Sequence, residues 1–285
     1  MSLPPPLALR LARVVRLAAH LVRGLVTVCS FRNRDPHHQD RVAQRWSRRL
    51  LAILNVRLRV HNAPANGAPG TLIVANHVSW LDIFALYAAV PGVFVAKSEI
   101  ARWPVLGDLV ARAGTIFIER GRGRHASRTN ERIVAALTSG RRVVVFPEGT
   151  TTDGSTVKRF HAALLQPAIN ANALVQPVAL RYTDGRGARS DAAVYVGDTS
   201  LVESLRRILS ARRLEVELCF EPAIAPGERD RRSLAQSAHA AITRALEPAP
   251  SDNAPETGAD PRAAGPTASH PTRTPYPARS GWGRP

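Results

Sequence analysis

A histidine and an aspartate five residues apart, His77 and Asp82, are the side chains of this sequence best suited to chemistry. They follow the apolar run 72–75, at a point where a strand would end and a helix would begin. A neutral imidazole can take a proton from a hydroxyl when a carboxylate fixes its tautomer and stabilises the imidazolium. The pair therefore predicts a general base with its orienting partner. The alternative is a turn histidine followed by an exposed helix residue.

Basic residues follow a second apolar run, 116–118, which is typical of a buried parallel strand. Arg120, Arg122 and Arg124 begin where that strand should end. Guanidinium groups at the carboxyl end of a strand suit a phosphate, which they can bind with two hydrogen bonds at once. The alternative is a solvated loop, and it applies more to Arg122 and Arg124 than to Arg120.

A third segment, 143–152, is typical of a strand followed by a turn. Pro147 would end the hydrogen-bonding ladder, and Gly149 would permit an unusual backbone angle. Glu148 lies between them and can orient neighbouring backbone or arginine groups. The alternative is a purely structural carboxylate that caps the end of the strand.

Four blocks of sequence stand together in order: NHVSWLD at 76–82, GTIFIER at 114–120, VVVFPEGT at 143–150 and QPVAL at 176–180. With these blocks the chain resembles the 1-acyl-glycerol-3-phosphate acyltransferase family, over about residues 55–200. The resemblance implies that a fatty acyl group passes from a thioester, acyl-CoA or acyl carrier protein, to a free hydroxyl of a lysolipid. It implies His77 as general base and Asp82 as its partner, with no serine or cysteine nucleophile and no cofactor or metal.

The same resemblance implies which residues bind the acceptor, most simply 1-acyl-glycerol-3-phosphate. Substrate-binding roles fall on Lys97, Arg120, Glu148, Gly149 and Thr150. The family pattern commonly continues with an arginine after this threonine, whereas Thr151 stands here. That departure removes a candidate phosphate ligand and keeps a different lysolipid, such as a lyso-ornithine lipid, as an alternative acceptor.

The N-terminal region predicts a membrane-associated helix over residues 9–26. On a helical wheel its arginines and His20 fall within an arc of roughly 140°, with leucines and valines opposite. This pattern is typical of a helix that lies in a membrane interface, and the recurring arginines argue against a spanning helix. A second amphipathic helix, predicted over 40–54, repeats the design. We expect a monotopic or peripheral protein on the cytoplasmic face of the cell membrane; the alternative is a surface helix of a soluble domain.

The charge agrees with a lipid partner, since 39 Lys plus Arg against 22 Asp plus Glu give a formal net charge of +17. Basic residues near anionic lipid each contribute about 1 kcal/mol of attraction. A basic membrane-binding or nucleic-acid-binding module without catalysis is the rival, but no nucleic-acid recognition signature is present, so no such partner is expected.

Cys29 and Cys219 are too few for a disulfide framework or a zinc site. An esterase is disfavoured because the sequence has no G-x-S-x-G elbow.

Alternating strands and helices predict one α/β domain with a largely parallel central sheet flanked by helices, preceded by the two amphipathic helices. The predicted strands are 57–60, 71–75, 92–96, 115–118, 142–146, 174–180, 193–196 and 214–220, and the predicted helices include 80–89, 126–138, 161–170 and 231–246. We predict N-terminal helices over 1–55, an acyltransferase domain over 56–247 and a disordered Pro-rich tail over 248–285. Oligomeric state is not indicated by the sequence.

Overall fold

Seven strands, built from short β-branched and leucine-rich runs, form the centre of the protein. The structure is a computed structural model that describes residues 6–29, 35–64, 70–102, 107, 110–111, 114–118 and 124–247. The strands are β1 Val56–His61, β2 Leu72–Ala75, β3 Val93–Lys97, β4 Ile116–Ile118, β5 Val143–Val145, β6 Val175–Thr183 and β7 Leu214–Phe220. Most of these side chains are buried on both faces of the sheet, as expected for parallel strands covered by helices.

The strands form one sheet in the order β1-β7-β6-β2-β5-β3-β4. Only β6 and β7 pair antiparallel among these neighbours, so the largely parallel sheet predicted from the sequence is confirmed. Val74 of β2 lies opposite Val145 of β5, and Phe94 of β3 lies opposite Val144. The carboxyl ends of β2, β5 and β3 therefore meet at one edge of the sheet, where polar turns follow two of them.

The seven α-helices whose bounds the structure describes surround the sheet. They are α1 Leu7–Cys29, α2 Pro36–Ile53, α3 Leu81–Ala89, α4 Arg124–Thr138, α5 Gln166–Asn170, α6 Leu201–Ser210 and α7 Arg231–Leu246. One face of the sheet packs against α2, α3 and α6, and the other packs against α4, α5 and α7. The result is a three-layered α/β/α arrangement that leaves α1 on the outside, against α2 and α6.

Helix α1 docks on the protein through Arg13 and His20 of its basic arc, whereas Arg16 and Arg23 of the same arc are exposed. Its buried residues are Arg13, Leu17, His20, Gly24 and Val28. The opposite face exposes large apolar side chains, including Leu11 at 57%, Val15 at 68% and Val26 at 68%. Within the described residues, no helix combines the length and the apolar character needed to cross a bilayer.

Two details of the predicted element order are wrong. The predicted strand at 193–196 is instead a 3-10 turn at Asp191–Ala193, where the Ser190 hydroxyl accepts from the Ala192 amide, followed by an irregular segment. Helix α6 was not predicted, although its start carries a recognisable signal: the Ser200 hydroxyl accepts from the backbone N–H of Glu203. That serine and glutamate, three residues apart before an amphipathic run, match the capping-box pattern. The boundaries at 55 and 247 stay predictions, and the tail 248–285 lies outside the described residues.

Candidate active site

The turn between β2 and α3 holds His77 and Asp82 against each other. The His77 Nδ1 atom lies 2.8 Å from Asp82 Oδ2. The Asp82 side chain is fully buried, whereas the imidazole is 16% exposed. Asp82 lies in the first turn of α3, so the helix that begins at Leu81 delivers its carboxylate back to the strand end. The sequence-predicted pair is thus brought together at the carboxyl edge of the sheet.

Four donors surround the Asp82 carboxylate. Oδ2 also accepts from the backbone N–H groups of Val78, at 2.7 Å, and Ser79, at 2.9 Å, while Oδ1 accepts from the Tyr182 hydroxyl at 2.7 Å. Burial raises the pKa of Tyr182 well above its usual value and the neighbouring carboxylate adds to the effect, so this hydroxyl stays a donor. An ionised carboxylate only accepts, so Nδ1 of His77 carries the proton. The lone pair of the neutral ring is therefore on Nε2.

Neighbouring side chains fix the position of this turn. The Asn76 amide donates to the Leu180 carbonyl at 2.8 Å and accepts from the Leu180 N–H at 2.7 Å, which extends the pairing of β2 with β6. The His77 ring stacks on Phe146, with ring centroids 4.0 Å apart and an interplanar angle of 14°. The aromatic face limits rotation of the imidazole about its side-chain bonds. The hydrogen bonds of Asn76 thus hold the backbone of the turn, and Phe146 holds the imidazole ring.

Glu148 is buried behind the dyad, with both carboxylate oxygens bound to backbone amides. Oε1 accepts from the His77 N–H at 2.7 Å, and Oε2 accepts from the Lys158 N–H at 2.8 Å. Burial raises the pKa of Glu148 above its usual value, and these two hydrogen bonds partly oppose the shift. The carboxylate therefore ties the loop after β5 to the backbone of His77, and its contacts are with protein groups.

The turn after Glu148 contains three residues noted in the sequence, namely Gly149, Thr150 and Thr151. Gly149 has a φ of +65°, and a Cβ at this position would lie 3.0 Å from Cδ2 of His161, so a larger residue would be strained in two ways. Thr150 is exposed in the same turn. The Thr151 hydroxyl donates a hydrogen bond to the Tyr195 carbonyl. The side chain that replaces the family's usual arginine is thus bound to backbone.

The structure describes only one of the two predicted phosphate ligands, Lys97 and Arg120. Lys97 is the last residue of β3, partly exposed at the same sheet edge as the dyad and paired in register with Ile118 of β4. Arg120 lies outside the described residues, as does Arg122. Among the described residues, no group of three or more His, Cys, Asp or Glu side chains could hold a metal ion.

Comparison with known proteins identifies the family and several relatives of this chain. The family model described as Acyltransferase matches residues 57–181. A lyso-ornithine lipid O-acyltransferase of Pseudomonas aeruginosa is 39% identical over 245 residues, which cover 84% of this chain and 93% of the relative. The chain belongs to the acyltransferase family. A 1-acyl-sn-glycerol-3-phosphate acyltransferase of Neisseria meningitidis is also 39% identical, over 74% of this acyltransferase and 82% of the relative.

A solved structure supports the fold of this acyltransferase. The crystal structure of the 1-acyl-sn-glycerophosphate acyltransferase from Thermotoga maritima matches with a TM-score of 0.63, over 84% of this chain and 94% of that one, at 22% identity. Both chains therefore share the same α/β architecture over most of their lengths.

Two residues at the site of this acyltransferase were missed by sequence reasoning. Tyr182 comes from β6, one hundred positions from Asp82 along the chain. Phe146 is the residue after β5 and contacts the His77 ring. Phe146 carried a usable signal, since it belongs to the VVVFPEGT block that the register brings beside β2. Tyr182 carried none, because its contact depends on the register of β6 against β2.

Proposed function

We propose that this enzyme transfers a fatty acyl group from an acyl thioester, acyl-CoA or acyl carrier protein, to the free hydroxyl of a lysolipid, with His77 as general base. The observation that carries the proposal is the 2.8 Å contact between Nδ1 of His77 and buried Asp82. Among the described residues, Nε2 of the same ring has no hydrogen-bond partner. The activities named for the two 39% identical relatives support a lysolipid as the acceptor class.

The chemistry needs only these two side chains and the two substrates. Nε2 of His77 takes the proton of the acceptor hydroxyl as its oxygen attacks the thioester carbonyl carbon. The tetrahedral intermediate then breaks its carbon–sulfur bond, which leaves an ester and a thiolate. The thiolate or water takes the proton back from the imidazolium, which Asp82 stabilises in the interval. Because Tyr182 and two amides hold Asp82, the Nδ1–H of the ring stays directed at this carboxylate in both the neutral and the protonated form.

The acceptor headgroup has two candidates. For 1-acyl-glycerol-3-phosphate, Lys97 at the end of β3 supplies a cation at the right sheet edge, and Arg120 remains a predicted second ligand. A lyso-ornithine lipid is favoured by position 151, where a threonine hydroxyl bound to the Tyr195 carbonyl replaces a cation. Glu148 and Gly149 then act on the acceptor indirectly, by shaping the loop beside His77.

We also propose that α1 lies in the membrane interface, on the cytoplasmic face, and keeps the site close to its lipid substrates. The support is the outward apolar face of α1, where Leu11, Val15, Val22 and Val26 are each more than half exposed. Exposed valines and leucines on one helix face are costly in water and favourable in the headgroup region. Arg16 and Arg23, both exposed, flank that face and suit anionic lipid.

Substitution of the base tests the proposal. Wild type and His77→Ala are purified in detergent and supplied with one labelled acyl thioester and a panel of lysolipid acceptors. We expect the variant to transfer the label at least about 100-fold more slowly, the usual contribution of a general base. The matched control is His38→Ala, on α2, which removes a partly exposed histidine away from the sheet edge and leaves the rate within about two-fold.

The outcomes separate the alternatives. Equal transfer by wild type and His77→Ala would assign the proton transfer to another group. Transfer to no acceptor by the wild type would favour the binding-module alternative.

A further inference from the structure

Lysine is rare in this protein, and both lysines lie at the sheet edge that carries the dyad. Of the 39 lysines and arginines, only Lys97 and Lys158 are lysines. Lys97 ends β3, and the backbone N–H of Lys158 donates to Glu148, whose other oxygen accepts from His77. A phosphate-binding role for Lys97 is predicted from the sequence. The Lys158 side chain has no role in the chemistry described above.

The Glu148 carboxylate limits the distance between Lys158 and the dyad. Its two oxygens accept from the backbone N–H groups of His77, at 2.7 Å, and of Lys158, at 2.8 Å. Because both oxygens belong to one carboxylate, the two amide nitrogens are on the order of 8 Å apart at most. A lysine ammonium extends about 6 Å from its Cα on a flexible four-carbon stem. The Lys158 ammonium can therefore reach a group that is bound beside the His77 ring.

The charge of Lys158 is available to an anion. The residue is exposed, and its ammonium forms no ion pair or hydrogen bond with any residue that the structure describes. Burial raises the pKa of Glu148, and the backbone hydrogen bonds and then the charges of His77 and Lys158 oppose that shift. The ammonium thus lies close enough to act on the carboxylate behind the dyad, yet forms no direct pair with it.

The order of the strands brings the two lysines to the same region. Strand β5 lies between β2 and β3 in the sheet. Neighbouring strands are about 4.8 Å apart, so the ends of β2 and β3 are roughly 10 Å apart. Lys158 belongs to the segment that follows β5, and the His161 N–H of that segment donates to the Pro147 carbonyl at 2.8 Å. An anion held between Lys97 and Lys158 would therefore lie near the acceptor hydroxyl at His77.

An anionic acceptor needs such cations, because two buried carboxylates lie beside His77. Asp82 and Glu148 are both buried and would repel a phosphate or carboxylate bound near the ring. Position 151, where the family pattern commonly has an arginine, supplies no positive charge, and the Thr151 hydroxyl is bound to the Tyr195 carbonyl. The compensating charge must come from another position at this edge.

We propose that Lys158, together with Lys97, binds the anionic group of the acceptor headgroup and supplies the positive charge that is absent at position 151. The proposal rests on the lysolipid acyl transfer proposed above and adds a specificity-determining residue to it. An ammonium group is a compact point charge with three donors, so it binds a phosphate or carboxylate oxygen without a fixed orientation. Anionic acceptors are thus bound more tightly than an uncharged acceptor with the same acyl chain.

The experiment compares anionic acceptors with an uncharged one in the full chain. Wild type, Lys158→Gln and Lys158→Arg are assayed in detergent with one acyl thioester and either 1-acyl-glycerol-3-phosphate, a lyso-ornithine lipid or the uncharged 1-acylglycerol. For the anionic acceptor we expect Lys158→Gln to raise KM about 10-fold, with kcat within about two-fold, since a hydrogen bond between charged groups is lost. Lys158→Arg keeps the charge and should stay within about three-fold of the wild type.

Two controls separate this effect from a loss of structure or of general charge. The contact of Lys158 with Glu148 uses the backbone N–H, so both variants keep it and the thermal midpoint should not change. Arg232→Gln removes an exposed arginine at the start of α7, outside the segment that follows β5, and should leave every KM within about two-fold. The KM of the acyl thioester should be unchanged in all variants.

A rise in KM for one anionic acceptor alone would identify its phosphate or its carboxylate as the bound group. An unchanged KM for both, an equal rise with 1-acylglycerol or in Arg232→Gln, or a rise for the thioester instead would overturn the proposal. Calorimetric binding of each anionic lysolipid to His77→Ala, with and without Lys158→Gln, gives a readout without turnover. If the wild type transfers no acyl group, the proposed function fails, and the role of Lys158 stands or falls on that binding.

Discussion

Asp82 and Arg13 are both charged and both buried, yet their surroundings differ sharply. Asp82 accepts four hydrogen bonds, from His77, Val78, Ser79 and Tyr182. Arg13 of α1 donates to one carbonyl, that of Leu209, at 3.3 Å. A buried charge is tolerated only when its partners replace the lost water. The turn at 76–82 meets that condition, whereas α1 meets it only in part.

The rest of α1 shows the same contrast. His20 Nε2 bonds to the Trp46 carbonyl at 3.1 Å and its ring stacks on Trp46, but Nε of Arg10 is buried with no partner among the described residues. The turn at 76–82 is therefore held by the protein alone. Helix α1 makes few polar contacts with the rest of the protein, and its opposite, apolar face is exposed. The comparison predicts that substitutions in the turn abolish acyl transfer, whereas substitutions in α1 change the binding of the protein to membranes.

Substitution of Asp82 by asparagine should give the largest effect. The introduced amide can still meet its neighbours, because its oxygen accepts from the backbone N–H groups and the Tyr182 hydroxyl can accept in turn. It cannot stabilise an imidazolium, so we expect kcat/KM for acyl transfer to fall by about 10³-fold or more. The measurement is acyl transfer in detergent, with Asp198→Asn, which changes an exposed aspartate, as control.

The thermal midpoint of Asp82→Asn should stay near that of the wild type. A variant that loses its activity only because it unfolds would show the loss in that midpoint. A wild-type kcat/KM in Asp82→Asn would contradict a role for this carboxylate in acyl transfer.

Replacement of the outward apolar face of α1 should move the protein off membranes. Leu11, Val15 and Val22 are 57%, 68% and 61% exposed, so serine at all three positions removes no core contact. Each apolar side chain that leaves the interface costs about 1 kcal/mol, so the triple variant should bind anionic liposomes about 100-fold more weakly. Co-sedimentation measures this loss, and activity on detergent-dispersed acceptor should remain within about two-fold of wild type.

Val202→Ser is the matched control, because Val202 is a single exposed apolar residue of α6, at 77% exposure. Liposome binding by the triple variant at the wild-type level would show that α1 does not mediate membrane contact.

Local sequence predicted one of these regions better than the other. The pairing of His77 with Asp82 was accessible because both residues lie on one short turn, and hydrogen bonds there depend on nearby backbone. The amphipathic pattern of α1 was equally local. The face of α1 that contacts the protein could not be predicted from local sequence, since a helix with two distinct faces can dock by either. The answer came from Leu209 and Trp46, which lie on other elements.

Long-range register explains most of what sequence reasoning missed. Tyr182 reaches Asp82 only because β6 lies beside β2, with Val178 opposite Ala75. The strand itself was predicted from its valines and leucines, but its alignment was not. At 193–196 an apolar run was mistaken for a strand, although Ser190 favours a capped turn just before it. In each case the deciding contact is a hydrogen bond to a residue distant in sequence or to a local cap.

Protonation of His20 should give the smallest effect and sharpens the description of how α1 docks. Burial lowers the pKa of His20 below 6.5, and the charges of Arg49 and Arg23 lower it further, against the opposing effect of the Trp46 carbonyl. The unfolded chain therefore binds a proton more readily than the folded one, so stability from this site is fully present above about pH 6.5 and declines as the pH falls below it. We expect the thermal midpoint of the wild type to drop further between about pH 7.5 and about pH 5.5 than that of His20→Gln, because only the wild type has a buried ring whose protonation opposes folding. His37→Gln, which removes an exposed histidine near the start of α2, should follow the wild type. An identical drop in His20→Gln and wild type would mean that α1 docks without any cost from this buried ring.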